Sequence, residues 1–280
     1  MRLLHGRPVA ERVTARTRDR VDALAGRGIT PRLDILSVGT DPAAATYQAH
    51  LRKAGRHLGV TVRPIAVPRT ASEAAVTKAL RASREDSGTH GVLLLTPLPA
   101  PLDEARLVED IAPAKDVEGV HPYNQGLLAA GRPRFVPSTA EAIVEILRFY
   151  DITLDGAHAV VIGRSPVVGR PATTLLLHAH ATVTLAHSRT AHLADHTRSA
   201  AIVVVAVGRE RFLTGDMLAR GATVIDAGIN VTPAGIVGDV DAESVTSVAG
   251  ALSPVPGGVG GVTTALLLRN VVTAAEEQSR

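Results

Sequence analysis

The 280-residue chain contains no cysteine. That excludes disulfides, thiolate nucleophiles and cysteine-rich zinc sites. Aromatic residues make up 2% and tryptophan is absent, so base-stacking platforms for nucleic acid are not expected. Lysine occurs only at Lys53, Lys78 and Lys115, and the remaining positive charge is arginine scattered along the chain. A net charge of +3 without clustering gives no electrostatic footprint for nucleic acid. The longest apolar run, 200–207, is too short to cross a bilayer. The first six residues carry no apolar signal segment, so the expectation is a cytoplasmic protein with no membrane partner.

What the chain has is a 45% apolar content built on Ala, Val, Leu and Ile, enough for a sizeable core. Strands and helices alternate along it. Strands are expected over 33–38, 60–67 and 91–95, with helices over 42–58 (capped by Asp41), 72–83 (capped by Ser72) and 103–111. The Pro- and Gly-rich stretch 112–137 reads as irregular. A helix over 138–150 opens a second series, with strands over 159–162, 182–186, 201–207 and 223–226 and a last helix over 263–276. Repeated strand–helix units predict an α/β fold with parallel sheets and helices on both faces. The expected domains are 1–137 plus 263–280, and 138–262.

The segment Val160-Val161-Ile162-Gly163-Arg164-Ser165 with Val168-Gly169 reads as an apolar strand, a tight polar turn and a helix start. Such a helix end presents amides and a positive dipole to a pyrophosphate. Taken alone it also fits a plain strand–turn–helix, since Ser165 stands where GxGxxG has its second glycine. At the end of the next strand, NAD-preferring folds place an acid for the ribose hydroxyl. Here His187-Ser188-Arg189-Thr190 offers a hydroxyl and a guanidinium instead, with Arg164 as a further cation, which favours NADP. A second Gly-rich loop, Gly257-Gly258-Val259-Gly260-Gly261, lets backbone approach a ligand, or is an inter-domain turn. His192 and His196 stand four apart. Without a supporting motif they read as a solvated helix face, and no metal site is expected. Tyr123, Tyr150 and the phenylalanines read as packing residues.

Several stretches together resemble one family, the bifunctional methylenetetrahydrofolate dehydrogenase/methenyltetrahydrofolate cyclohydrolases. They are Val38-Gly39-Thr40-Asp41-Pro42-Ala43, Lys115-Asp116-Val117-Glu118-Gly119 with His121-Pro122, Gly163-Arg164-Ser165 with Val168-Gly169, Val224-Ile225-Asp226 with Gly228-Ile229-Asn230, Gly238-Asp239-Val240, and Pro254-Val255-Pro256-Gly257-Gly258-Val259-Gly260. The resemblance implies two α/β/α domains around a cleft, the first holding folate and the second a Rossmann-like NADP domain, usually as a homodimer. It implies that Gly163, Arg164 and Ser165 bind the NADP phosphates, with Ser188 near the 2′-phosphate, beside the Arg189 guanidinium already read from the residues, and Ile229 near the nicotinamide. It places Tyr47, Glu118, Pro254, Pro256, Gly257, Gly258 and Val259 on the folate side.

This chain departs from the family pattern at the chemistry. The family's catalytic lysine position is Leu51, its glutamine position is Leu95, and the second aspartate of Lys-Asp-Val-Asp-Gly is Glu118. Glu210 replaces a proline. Removing hydride from a carbon between two nitrogens needs no proton transfer, whereas opening the methenyl bridge does. The expectation is a dehydrogenase with its cyclohydrolase weak or lost, acting through Tyr47 and Glu118. His50, one turn from Tyr47, is a candidate replacement acid–base, although a solvent-facing histidine fits the pattern too. Lys53 reads as surface. The alternatives are a fully bifunctional enzyme, an NADP oxidoreductase on a modified folate, or a non-catalytic folate-fold binding protein.

Overall fold

A computed structural model describes residues 1–39, 42–233 and 235–279. In chain order it contains β1 (Arg2–Leu3), α1 (Gly6–Ala25), β2 (Arg32–Val38), α2 (Pro42–Leu58), β3 (Thr61–Val67), α3 (Glu73–Glu85), β4 (Gly91–Leu94), α4 (Glu104–Val108) and α5 (Pro122–Ala129). It continues with α6 (Ser138–Phe149), β5 (His158–Ile162), α7 (Gly169–His178), β6 (Thr182–Ala186), α8 (Leu193–Thr197), β7 (Ile202–Val205), β8 (Thr223–Asp226), β9 (Asn230–Thr232), β10 (Gly235–Val237), α9 (Ala242–Val245), β11 (Ala251–Ser253) and α10 (Val259–Gln278). The chain divides into two compact units, one of Met1–Glu11 with Pro137–Thr263 and one of Arg12–Val136 with Thr264–Arg280.

The smaller-sheet unit, residues 12–136 with 264–280, holds three parallel strands in the order β3-β2-β4. Every residue of β4 is buried, as in a parallel strand covered on both faces. Its main core joins Leu33, Ile35, Leu51, Val117 and Phe135 to Leu267, Leu268, Val271 and Val272 of α10, so the last helix packs into this unit. Local chemistry sets the helix ends. Ser72 caps α3 through the Ala75 amide, and Asp103 caps α4 through the amides of Ala105 and Arg106. The expected cap of α2, Asp41, lies outside the described residues. The stretch expected to be irregular contains α5. Pro122 opens it with φ already suited to a helix, and the His121 ring accepts from the Tyr123 amide. Tyr123 is exposed rather than packed, because that helix turns it outward.

The larger-sheet unit, residues 1–11 with 137–263, holds six parallel strands in the order β1-β11-β8-β7-β5-β6. The pattern reading puts residues 1–11 in the first domain. Instead Arg2 and Leu3 pair in parallel with Ala251 and Leu252 in this unit. Two residues are too short a strand to carry a periodic signal. α8 begins at Leu193, and His192 precedes it in a left-handed conformation, so His192 and His196 do not form a one-face pair. Among the described residues no helix is long and apolar enough to cross a membrane, and no group of three or more His, Cys, Asp or Glu is placed to hold a metal ion.

Candidate active site

In the larger-sheet unit, β5 lies between β6 and β7, so successive connections leave it in opposite directions. The carboxyl ends of parallel strands at such a switch point are where ligands bind in open α/β sheets. The turn after β5 is built for close backbone approach. Gly163 has φ +119, and a Cβ there would overlap the Ala206 carbonyl. A Cβ on Gly169, the first residue of α7, would overlap the Gly163 carbonyl. The Ser165 hydroxyl accepts from the amides of Val168 (3.1 Å) and Gly169 (3.4 Å), which pins the helix start. Arg164 is exposed beside this turn.

β6 ends in a tight turn. The Thr190 amide donates to the His187 carbonyl at 2.8 Å, and the His187 amide to the Thr190 hydroxyl at 2.9 Å. Ser188 and Arg189 project from it, both exposed. Beyond β7 and β8 lies an open groove of about 650 Å³ lined by Gly208, Arg209, Glu210, Ile229 and Asn230, among others. Two buried carboxylates hold its walls. Asp239 accepts from the amides of Val207 (2.6 Å), Gly208 (2.9 Å) and Arg209 (2.9 Å) and from the Asn230 side chain (2.9 Å). Asp226 accepts from the amides of Gly228 (2.9 Å), Asp239 (3.0 Å) and Val240 (3.0 Å). Burial pushes the Asp226 carboxyl above its ordinary range. Gly228 and Gly238 lie flat against these carboxylates, where any Cβ would overlap them. Ile229 is thereby left 65% exposed at the groove.

Pro254, Pro256, Gly257, Gly258 and Val259 also belong to this unit. The Gly257 carbonyl accepts from the Gly6 amide at 2.8 Å. Gly257 has φ +104, a Cβ on Gly258 would sit 2.5 Å from the Pro254 carbonyl oxygen, and the loop runs directly into α10.

In the smaller-sheet unit, Tyr47 of α2 is half-buried and packs against the core that contains Leu51 one turn on. Leu51 is fully buried, and Leu95, just past β4, packs against the same cluster. Glu118 lies close enough to act electrostatically on the Tyr47 phenol. Burial first, and then the Glu118 charge, push that phenol well above its usual range. Burial, and secondarily the Asp116 charge, push Glu118 itself up to about 7. No hydrogen bond or ion pair engages the Glu118 carboxyl among the described residues. Two residues just before it in the chain are committed. The Lys115 ammonium donates to the carbonyls of Ser83 (3.2 Å) and Asp86 (2.8 Å) at the end of α3. The buried Asp116 accepts from the amides of Val120 (3.2 Å) and His121 (2.9 Å) and from Asn124 (2.8 Å). Gly119 turns the chain at φ +68. The turn thus spends Lys115 and Asp116 on architecture. His50 and Lys53 are both exposed, away from the buried side of α2.

The sequence reading overlooked two structural groups, one in each unit. Asp239 was visible only as part of a matching motif, not as the anchor of three amides. Asn270, in α10, did carry a signal, because it is a lone amide within an apolar helical run.

Two family models match the chain. The tetrahydrofolate dehydrogenase/cyclohydrolase catalytic domain spans residues 4–118, and the NAD(P)-binding domain of the same family spans 137–279. The chain is 48% identical over 280 residues to the bifunctional protein FolD of Roseiflexus sp. (strain RS-1), covering 99% of this chain and 96% of that one. It is similar in structure to the bifunctional FolD methylenetetrahydrofolate dehydrogenase/cyclohydrolase of Campylobacter jejuni, with TM-score 0.96, 36% identity and 99% of each chain covered. It is also similar to the Trypanosoma brucei N5,N10-methylenetetrahydrofolate dehydrogenase-cyclohydrolase, crystallised with NADP and an inhibitor. There the TM-score is 0.95 and the identity 32%, with 99% of this chain and 98% of that one covered.

Proposed function

The chain belongs to the tetrahydrofolate dehydrogenase/cyclohydrolase family, and from that premise we propose that it is an NADP-dependent 5,10-methylenetetrahydrofolate dehydrogenase whose methenyl-hydrolysing activity is weak or lost. The cofactor side fits a dinucleotide. Glycines at 163 and 169 let the turn after β5 pack directly on main chain, and the positive end of the α7 dipole lies at that turn. Ser165 holds the turn in that shape. Ser188 and Arg189 offer a hydroxyl and a bidentate cation to the 2′-phosphate, with no acid to repel it. Ile229 gives an apolar surface for the nicotinamide end. When bound, NADP supplies the hydride acceptor.

On the folate side, Tyr47 and Glu118 orient the pterin, with Glu118 accepting from its amino and ring N–H groups when ionised. Hydride loss leaves a delocalised cation and releases no proton, so positioning carries the step. Hydrolysis of that cation needs water deprotonated and a ring nitrogen protonated, a contribution of about 10²–10⁴-fold from a placed acid or base. The observation that carries the proposal is Leu51, fully buried in hydrocarbon one turn from Tyr47, with Leu95 on the same apolar cluster. Neither can move a proton.

The test mixes protein, methylenetetrahydrofolate and NADP and follows the methenyl chromophore. The expected result is its accumulation at the rate of NADPH formation. Formyl product appearing as fast as NADPH overturns the loss of hydrolysis, and no NADPH at all overturns the dehydrogenase. A homodimer is part of the same reading, and light scattering at micromolar concentration checks it. Glu118, one methylene longer than the family's aspartate, favours a second reading in which the pterin is modified. An activity gain on methylenetetrahydrofolate in Glu118→Asp supports that reading.

A further inference from the structure

Asn270 occupies an unusual place for an amide. It is 3% exposed, in a stretch of α10 whose Leu266, Leu267, Leu268, Val271 and Val272 are core residues. An amide buried there without partners is costly, so its bonds indicate why the position is polar. Its Nδ2 donates to the carbonyl oxygens of Val117 (2.9 Å) and Val136 (3.4 Å), and its Oδ1 accepts from Arg269 at 2.7 Å. Both amide protons are therefore spent on main chain from two separate segments. The Val117 carbonyl belongs to the peptide unit that carries the Glu118 nitrogen, so fixing it fixes the direction in which the Glu118 side chain leaves the backbone. The second segment, Phe135–Val136, backs the same turn, since a Cβ on Gly119 would lie 2.6 Å from the Phe135 oxygen. Lys115 and Asp116 anchor the turn before Glu118. Among the described residues, Asn270 is the side chain that holds the Val117–Glu118 peptide itself.

We propose that Asn270 is a positioning residue for folate: by tying the Val117–Glu118 peptide to Val136, it sets the angle at which the Glu118 carboxyl meets the pterin beside Tyr47. This rests on the reading of Glu118 and Tyr47 as folate-side residues.

The experiment compares wild type, Asn270→Ala and Leu80→Ala. Leu80 is fully buried in a separate cluster of the same unit, so its truncation lowers stability without touching the turn. Steady-state rates against both substrates, their pH profiles, and calorimetric binding of 5-formyltetrahydrofolate are measured. For Asn270→Ala the expected result is a folate KM and a 5-formyltetrahydrofolate Kd raised about tenfold, the loss of one oriented backbone hydrogen bond. NADP KM stays within about twofold, and the midpoint of the kcat/KM pH profile moves. Leu80→Ala shifts neither folate constant. If Asn270→Ala does not fold, Asn270→Ser, which keeps one donor, shows the same split at smaller size. Folate constants within about twofold of wild type, or an equal shift in Leu80→Ala, overturn the proposal. A wild type that binds 5-formyltetrahydrofolate but produces no NADPH sinks the dehydrogenase reading while the binding comparison still decides Asn270. A wild type that binds no folate sinks both.

Discussion

Glu118 keeps its proton over a pH interval in which an exposed glutamate loses it. Its ordinary value is 4.5, and burial raises it to about 7. Between those values the unfolded chain releases the proton and the folded chain retains it, so stability present below pH 4.5 is lost as pH rises through about 7. Glu118→Gln removes the charge. Urea unfolding should find this variant more stable than wild type by about 2–3 kcal/mol at pH 8 and equal at pH 4. The same variant should bind folate less tightly, because an amide replaces an acceptor-only carboxylate. Leu51 gives the opposite experiment. Leu51→Lys places an ammonium at the family's lysine position but inside hydrocarbon. It should cost about 3 kcal/mol or more by thermal melting. It should also speed the decay of the methenyl chromophore, which the proposed loss of hydrolysis leaves slow in wild type.

At the scale of elements, the turn after β5 makes the most demanding use of sequence. Gly169→Ala forces a Cβ onto the Gly163 carbonyl, so the α7 start must move away from it. NADP affinity by titration should fall more than about tenfold with little change for folate. At the end of β6, Arg189→Ala removes one charge-assisted contact. NADP KM should rise about tenfold while NAD KM holds, narrowing the preference between the two. The turn after β5 was legible because a short apolar run ends abruptly in Gly163, and the turn after β6 because that strand runs into the polar His187-Ser188-Arg189-Thr190. The irregular reading of 112–137 failed for a physical reason. Pro122 and Gly126 look like breakers in composition, yet proline at a first helical position and glycine on an open face both fit α5. The hairpin of β9 and β10, with three residues a side, escaped notice because so short a run carries no alternation to detect. In the smaller-sheet unit, the residue types at 47, 51, 95 and 118 were readable by position. That Lys115 and Asp116 are consumed by the turn, and that Asn270 holds it, needed coordinates, because those bonds join segments about 30 to 150 residues apart.

For the whole molecule, the α/β class followed from alternation alone, since parallel strands buried on both faces read as continuous apolar runs. The assignment of the first residues did not follow from it. β1 is the outermost strand of the six-stranded sheet, and its main chain is bonded on one side only. The Arg2 amide donates to the Gly250 carbonyl at 2.7 Å and the Leu4 amide to that of Leu252 at 2.8 Å. Those few atoms shield an otherwise bare rim. A shortened form starting after His5 would present β11 along its full length to solvent, and unpaired strands of that kind recruit others. Such a form should self-associate at concentrations where the intact chain stays dispersed, and sedimentation of the two side by side would reveal it.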